Sequence, residues 1–328
     1  MSTETNEKQQ ATMRAVSPRA WGAPDVLVPV ETARPEPGLT EILVRVHAAG
    51  VNPVDWKTRA AGAFGSWGDT PILGYDVSGT VEAVGPGVTL YRPGDEVFGM
   101  PRFPEQAGGY AEFVAAPARR FAPKPANVDH IQAAALPLAA LTAWQSLIET
   151  AGLRAGQRVL IHAAAGGVGH LAVQIAKAHG AHVIGTARAD KHDFLKGLGA
   201  DEVVDYTRVD FTEAVRDVDI VLDGVGGDYG TRSLEVLRPG GHLVTLPDPT
   251  GLPDPARAAE LGVHTGWTVV EPDRAGMLAI ADLVERGKLR AEIDTVLPLE
   301  DAAKAHAHGE QGRTRGKIVL RVEPARGH

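Results

Sequence analysis

A chain of 328 residues with 44% apolar and 23% charged side chains has room for about two domains around a large buried core. Its formal charge of −8 disfavours nucleic acid or an anionic membrane surface as a partner. The lack of any cysteine excludes disulfides, thiolate nucleophiles and zinc sites built on thiolates.

In chain order, the opening MSTETNEKQQAT is polar, lacks the apolar core of a secretory signal and reads as a frayed tail. The most apolar stretch, 131–144, carries Gln132 and Pro137 and is too short to span a bilayer, so a cytoplasmic location is expected. Short β-type runs at 42–47, 79–84, 96–100 and 110–115 are separated by turn signals such as Gly85-Pro86-Gly87 and Gly108-Gly109. Many short strands punctuated in this way predict a mainly antiparallel, barrel-like domain over 1–127.

From 128 to 270 the pattern alternates. Strands at 158–162, 182–186, 202–205, 218–223 and 241–246 are separated by helical segments, the rhythm of a parallel sheet covered on both faces. A strand at 267–270 is expected to complete that sheet or lie at its edge. The remainder, 271–328, offers an amphipathic helix at 273–286, a strand at 293–297, a short helix at 301–306 and a last strand at 317–322. Isolated strands need partners, so this segment is expected to return to the first domain.

The most informative stretch is Gly156 to Lys177. An apolar strand enters the turn Ala163-Ala164-Ala165-Gly166-Gly167-Val168-Gly169, and a helix follows with Val168, Leu171, Ile175 and Ala176 on one face and Gly180 at its end. A helix N-terminus presents unpaired N–H groups and partial positive charge, and small residues let a pyrophosphate approach. The turn reads A-x-x-G-x-x-G, with Ala163 in the first glycine slot, and predicts a dinucleotide site that includes Ala165, Gly166, Gly167 and Val168. The next strand ends in Gly185-Thr186-Ala187-Arg188, with no acid to hold a ribose 2′-hydroxyl. Thr186, Arg188 and Lys191 suit a 2′-phosphate instead, with Asp190 read as a helix cap. The competing reading makes Arg188 and Lys191 solvated charges, but cations at a helix start are mildly unfavourable. The expected cofactor is NADP(H).

Taken with other segments, these residues resemble the zinc-independent medium-chain dehydrogenases/reductases, in particular the quinone oxidoreductase (zeta-crystallin-like) branch. The resemblance rests on Gly156-Gln157, Leu160, Ala164-Ala165, Gly166-Gly167-x-Gly169, Gln174 and Lys177. Further along the chain it includes Ala49-Gly-Val-Asn-Pro-Val-Asp55, Gly74-Tyr-Asp-Val-Ser-Gly79, Gly94-Asp-Glu-Val97, Gly109-Tyr-Ala-Glu112, Leu136-Pro137, Leu141-Thr-Ala143, Asp223-Gly-Val-Gly-Gly227 and Gly316-Lys317. It implies a Rossmann-type doubly wound parallel sheet plus a split, mainly antiparallel β-barrel-like (GroES-like) catalytic domain, with the cofactor in the cleft between them. It also implies a homodimer, with strand 267–270 extending the sheet across two subunits.

Zinc-holding members of this superfamily place a Cys after the Ala-Gly pair and a His after a later Gly; those slots here read Asn52 and Tyr75. The pair His306-x-His308 puts its rings on different sides of a helix, so both are read as solvated and no metal is expected. The resemblance adds Tyr206 to the 2′-phosphate group and sets Thr142 and Val225 at the nicotinamide end. Asn52 is a candidate to bond the acceptor carbonyl or the nicotinamide ribose, or is a turn residue before Pro53. Lys57 is a candidate to polarise a carbonyl or give a proton, or is a surface lysine. Tyr75 is a further candidate proton source, with water as the other. Trp56 is either an apolar wall for a planar substrate or core, and Asp223 is expected to position its loop. The implied function is hydride transfer from NADPH to a quinone or α,β-unsaturated carbonyl, a small-molecule reaction with no nucleic-acid or membrane partner. A pathway-specific enoyl reductase, and an NADPH-binding protein with a structural or regulatory role and little turnover, stay open beside it.

Overall fold

The computed structural model describes residues 11–62, 67 and 70–322; nearly all of the polar N-terminal tail lies outside them. The chain holds a mainly antiparallel sheet and a parallel one. The first set of strands pairs antiparallel, with burial alternating along Leu27–Ala33 and Phe113–Pro117 and nearly continuous along Glu41–Val51. β1 (Thr12–Pro18) lies against β2 (Leu27–Ala33). β3 (Glu41–Val51), β4 (Asp76–Val84), β5 (Glu96–Gly99), β6 (Phe113–Pro117) and β7 (Phe121–Pro123) build a larger sheet in which β3 also pairs with β6.

Continuous apolar runs give the parallel sheet. β8 (Arg158–Ile161), β9 (His182–Ala187), β10 (Glu202–Asp205), β11 (Val218–Asp223), β12 (Leu237–Thr245) and β13 (His264–Trp267) stand in the order β10-β9-β8-β11-β12-β13. Both faces are buried. Val159, Ile161, Val183, Ile220, Leu222 and Val244 enter one core, while their neighbours Leu160, Ile184, Val221 and Leu243 enter the other. This is the doubly wound order of a Rossmann domain, and its direction of winding reverses between β8 and β11. The crevice beyond the carboxyl ends of those two strands is where such sheets take a ligand.

The chain then leaves that sheet. The Arg274–Glu285 helix, capped by Asp273 through Ala275 N at 3.1 Å and Gly276 N at 2.5 Å, leads to β14 (Ile293–Pro298) and β15 (Lys317–Arg321). β15 runs antiparallel to β3, with Ile318 opposite Val51 and Leu320 opposite Ala49. The fold class implied by the resemblance is therefore the one observed. Some details differ. β1, β2 and β7 were not read as strands, and the third-last strand segment sits at 264–267 rather than 267–270. Its last pair sets Trp267 opposite Thr245, and Thr268 N still bonds Thr245 O at 3.1 Å. Among the described residues no helix is long and apolar enough to cross a membrane.

Candidate active site

The turn after β8 is shaped by close approach. Ala163, in the first glycine slot, takes φ +50, a left-handed conformation that costs an alanine about 1 kcal/mol or more. At Gly169, the start of the Gly169–Ala178 helix, an added Cβ would stand 2.4 Å from Ala163 O and 2.7 Å from Ala164 O, so only glycine lets helix and strand pack. Gly180, at φ +79, ends the region with the backbone freedom that a helix terminus needs. Among the described residues the amides of Gly167 and Val168 reach no backbone acceptor, which leaves donors at a helix N-terminus for an anion. Ala165, Gly166, Gly167 and Val168 thus stand together at the reversal of the sheet. Val225 lies across the crevice after β11 and is 45% exposed. Asp223 Oδ1 accepts from Val225 N at 2.9 Å and Gly226 N at 3.0 Å, holding this second loop. Thr142 is buried in the Pro137–Trp144 helix, its hydroxyl donating to Leu138 O at 2.7 Å.

At the tip of β9 the reading needs correction in two places. The Thr186 hydroxyl is buried and faces His162 Nδ1 at 3.2 Å, so it is turned away from any 2′-phosphate. Asp190 caps nothing; it stands in the short turn Ala189–Lys191, and no side-chain cap is made there or at the His192–Gly197 helix. Lys191 Nζ donates to Arg313 O at 2.8 Å and Thr314 O at 3.2 Å, which brings a distant loop to this spot. That loop carries residues the sequence reading missed: Arg315 lies over the Phe194 ring at 5.1 Å. Arg188 Nε donates to the hydroxyl of the exposed Tyr206 at 3.1 Å, and that bond keeps its guanidinium firmly charged. Arg188, Lys191, Arg315 and Tyr206 so supply cations and a hydroxyl beyond the end of β9, with the carboxylates of Asp190 and Asp205 also acting on Arg188.

The catalytic candidates do not form one exposed cluster. Asn52 precedes the Pro53–Ala61 helix and is only 1% exposed. Its backbone N–H donates to Asp55 Oδ2 at 2.7 Å, its Nδ2 donates to Asp76 Oδ2 at 2.8 Å, and its Oδ1 accepts from Lys317 Nζ. Asp55 Oδ1 accepts from Gly74 N at 3.2 Å, and Asp76 Oδ1 accepts from Leu138 N at 2.7 Å. Lys317 Nζ also donates to Val51 O at 3.1 Å and lies 3.6 Å from Asp76 Oδ2. Burial pushes Asp55 up to about 7, pushes Asp76 up and pushes Lys317 down; the attraction between the ammonium and the two carboxyls works against all three shifts. This ion cluster draws together the segments that carry Asn52 and Tyr75.

Tyr75 is buried between Trp67 and Phe103, donates to Pro104 O at 3.2 Å, and is held in its protonated form chiefly by desolvation. Lys57 is exposed on the Pro53–Ala61 helix; Asp248, in the loop after β12, is held ionised first by the Thr250 hydroxyl and N–H and more weakly by the Lys57 charge. Trp56 packs on the Ala302–Gly309 helix, where a Cβ on Gly309 would meet its ring at 2.6 Å. On the same helix His306 corrects the expectation of a solvated ring. It is fully buried, bonded through Nε2 to Tyr110 Oη at 3.1 Å, and desolvation pushes it down to about 3. His308 lies on the other side, with Nε2 2.6 Å from Asp294.

Comparisons with known proteins agree with this geometry. A family model described as an alcohol dehydrogenase GroES-like domain matches residues 38–126, and one described as a zinc-binding dehydrogenase matches 198–320. The chain is 34% identical to NAD(P)H oxidoreductase RTN4IP1, mitochondrial, of Danio rerio, over 86% of this chain and 84% of that protein. It is 35% identical to the 2-methylene-furan-3-one reductase of Solanum lycopersicum, over 98% of this chain and 82% of that protein. The structure of the quinone oxidoreductase from Coxiella burnetii matches with a TM-score of 0.88 at 38% identity, covering 95% of this chain and all of that one. By fold, by the turn after β8 and by relatives that cover most of both chains, this chain belongs to the zinc-independent medium-chain dehydrogenases/reductases of the quinone oxidoreductase type.

Proposed function

We propose that the protein is an NADPH-dependent reductase of quinones and α,β-unsaturated carbonyls that works without zinc. The coarser part, NAD(P)H-dependent oxidoreduction, rests on the family and its named members. The choice of NADPH is supported by the rim of Arg188, Lys191, Arg315 and Tyr206 beside the turn that would take the pyrophosphate. The residues present fit that cofactor: donors at a helix N-terminus, glycines at the crevice and the exposed Arg188 guanidinium at the ribose end.

The single observation that carries the zinc-free reading is what fills the slots of the metal ligands. Asn52 and Tyr75 are an amide and a protonated phenol, and the cation beside them is already the Lys317 ammonium. Among the described residues no three His, Asp or Glu side chains gather as metal ligands. A second cation next to Lys317 would be repelled, and an alcohol would have no Lewis acid to become an alkoxide.

Bound NADPH supplies the hydride. The protein's part is to orient and to exclude water. The turn Ala165 to Val168 anchors one end, Thr142 and Val225 border the other, and the loop held by Asp223 limits movement between them. Lys57, exposed on the Pro53–Ala61 helix, is the side chain proposed to pass a proton from solvent, with water as the other source. Copies of the chain are proposed to pair along the open edge of β13, where Trp267 and Val269 are exposed.

The test is NADPH oxidation with a panel of a naphthoquinone, a free enone and a thioester-linked enone, each with and without a metal chelator. Turnover with the free substrates that the chelator leaves unchanged is the expected result. Chelator-sensitive alcohol oxidation would overturn the zinc-free reading. Turnover confined to the thioester would favour a pathway-specific enoyl reductase, and tight NADPH binding with no turnover a structural or regulatory role.

A further inference from the structure

We infer that Lys317 is a positioning residue for the reaction: it ties the pyrophosphate turn of one domain to Asn52 and Asp76 of the other and fixes the Asn52 amide in one orientation. This inference rests on the site described under the proposed function.

Lys317 is 3% exposed, so its charge is sealed between the domains. Its stem passes the turn: a Cβ on Gly167 would stand 3.3 Å from Lys317 Cδ, and the preceding Gly316 N donates to Ala165 O at 3.0 Å. Its ammonium ends in three acceptors on the other side, Val51 O, Asn52 Oδ1 and Asp76 Oδ2. One residue therefore touches both the surface offered to the cofactor and the loop that carries Asn52.

The electrostatics leave the amide only one way round. The ammonium faces Oδ1 and the Asp76 carboxylate faces Nδ2. Reversal would set the NH₂ against the ammonium and the carbonyl against the carboxylate, two repulsive contacts in place of two charge-assisted bonds. With Oδ1 and one hydrogen of Nδ2 committed, the second Nδ2 hydrogen is what the side chain has left to offer. Asn52 is thus kept as a donor, the polarity that a carbonyl or quinone oxygen requires. Gly167 has a second purpose in this arrangement, since a side chain there would press on the lysine stem as well as on the cofactor.

A double-mutant cycle tests the link. Lys317→Met, Asn52→Ala and the double variant are assayed for NADPH oxidation with a naphthoquinone. Lys317→Met alone should lower kcat by about 30-fold, and by less than about threefold when Asn52 is already alanine, because the lysine acts through the amide. Because a lone buried carboxylate would threaten folding, Lys317→Met with Asp76→Asn removes both charges and should show the same loss with the melting transition retained. A second readout needs no turnover. In cofactor-free protein, the Asn52 side-chain NH₂ signal, identified by its absence in Asn52→Ala, should have its Asp76-bonded proton move upfield in Lys317→Met. Additive losses in the cycle, or an NH₂ signal that does not move, would overturn the inference. If the wild-type protein reduces no quinone or enone, it is the proposed function that fails, and the NH₂ signal alone then decides the role of Lys317.

Discussion

Replacing Arg188 and Lys191 together by alanine should weaken NADPH binding by about 100-fold while changing NADH binding by less than about threefold, since charge-assisted bonds to a phosphate are among the stronger polar contacts. Arg188 is exposed and hydrogen-bonds Tyr206 through Nε, with Asp190 and Asp205 attracting it from nearby, so its terminal guanidinium nitrogens are offered to a 2′-phosphate. Lys191 brings a complication that the structure makes explicit. Its ammonium already fastens Arg313 and Thr314, so its loss also loosens the loop that holds Arg315 near Phe194. Arg315→Ala separates the two effects, because it removes a cation and leaves the Lys191 bonds intact. Fluorescence titration of each variant with both cofactors is the measurement. Equal losses for NADPH and NADH would remove the 2′-phosphate from the account.

The second large effect is on stability in acid. His162 and His306 are buried and uncharged, pushed down to about 3 mainly by desolvation. His162 sits between Thr186 and Ser233 and under the Phe211 and Tyr229 rings; His306 meets Tyr110 and Trp56. An imidazole whose folded value lies below its unfolded value of 6.5 stabilises the native state fully above pH 6.5, and that stability is lost as pH falls toward 3. Between pH 7 and pH 5 each ring should therefore cost the folded protein about 2 kcal/mol, at 1.36 kcal/mol per pH unit below the unfolded value. Asp55 acts in the opposite sense. Its carboxyl, raised from 3.8 to about 7, stabilises below 3.8 and loses that contribution as pH climbs through 7, so the total acid sensitivity is smaller than the imidazoles alone would give. Comparing variants isolates the histidines from this opposition. On going from pH 7 to pH 5, the double variant His162→Gln, His306→Gln should lose about 4 kcal/mol less stability than the wild type, read from denaturant unfolding at both values. Parallel losses would mean that the rings are not held neutral in the core.

How much of this was legible in the sequence varies with how local the signal is. The strands β8 to β12 follow apolar runs bounded by glycine and helix, and the sheet order follows from the βαβ rhythm. The turn at Ala163 to Gly169 announces itself by small residues between a strand and a helix. β1, β2 and β7 do not stand out in the same way: Pro29 interrupts β2, β7 has three residues, and their place depends on partners elsewhere. Thr186 was misread because every residue of β9 after His182 is buried, and nothing local says that its hydroxyl turns inward to His162. His306 was misread because a His-x-His pair looks polar, whereas Tyr110 and Trp56, distant in the chain, bury one ring. The run Arg313-Thr314-Arg315-Gly316-Lys317 is visibly basic. Its two destinations, the rim near Lys191 and the buried pair with Asp76, appear only when β15 is laid against β3.

Isothermal titration of metal-free protein with NADPH tests the centre of the account most directly. Binding of one NADPH per chain, tighter than NADH by about tenfold or more as a 2′-phosphate contact requires, is the expected outcome. If neither the reduced nor the oxidised coenzyme associates with the folded chain, the crevice between β8 and β11 is not a cofactor site and the account is contradicted.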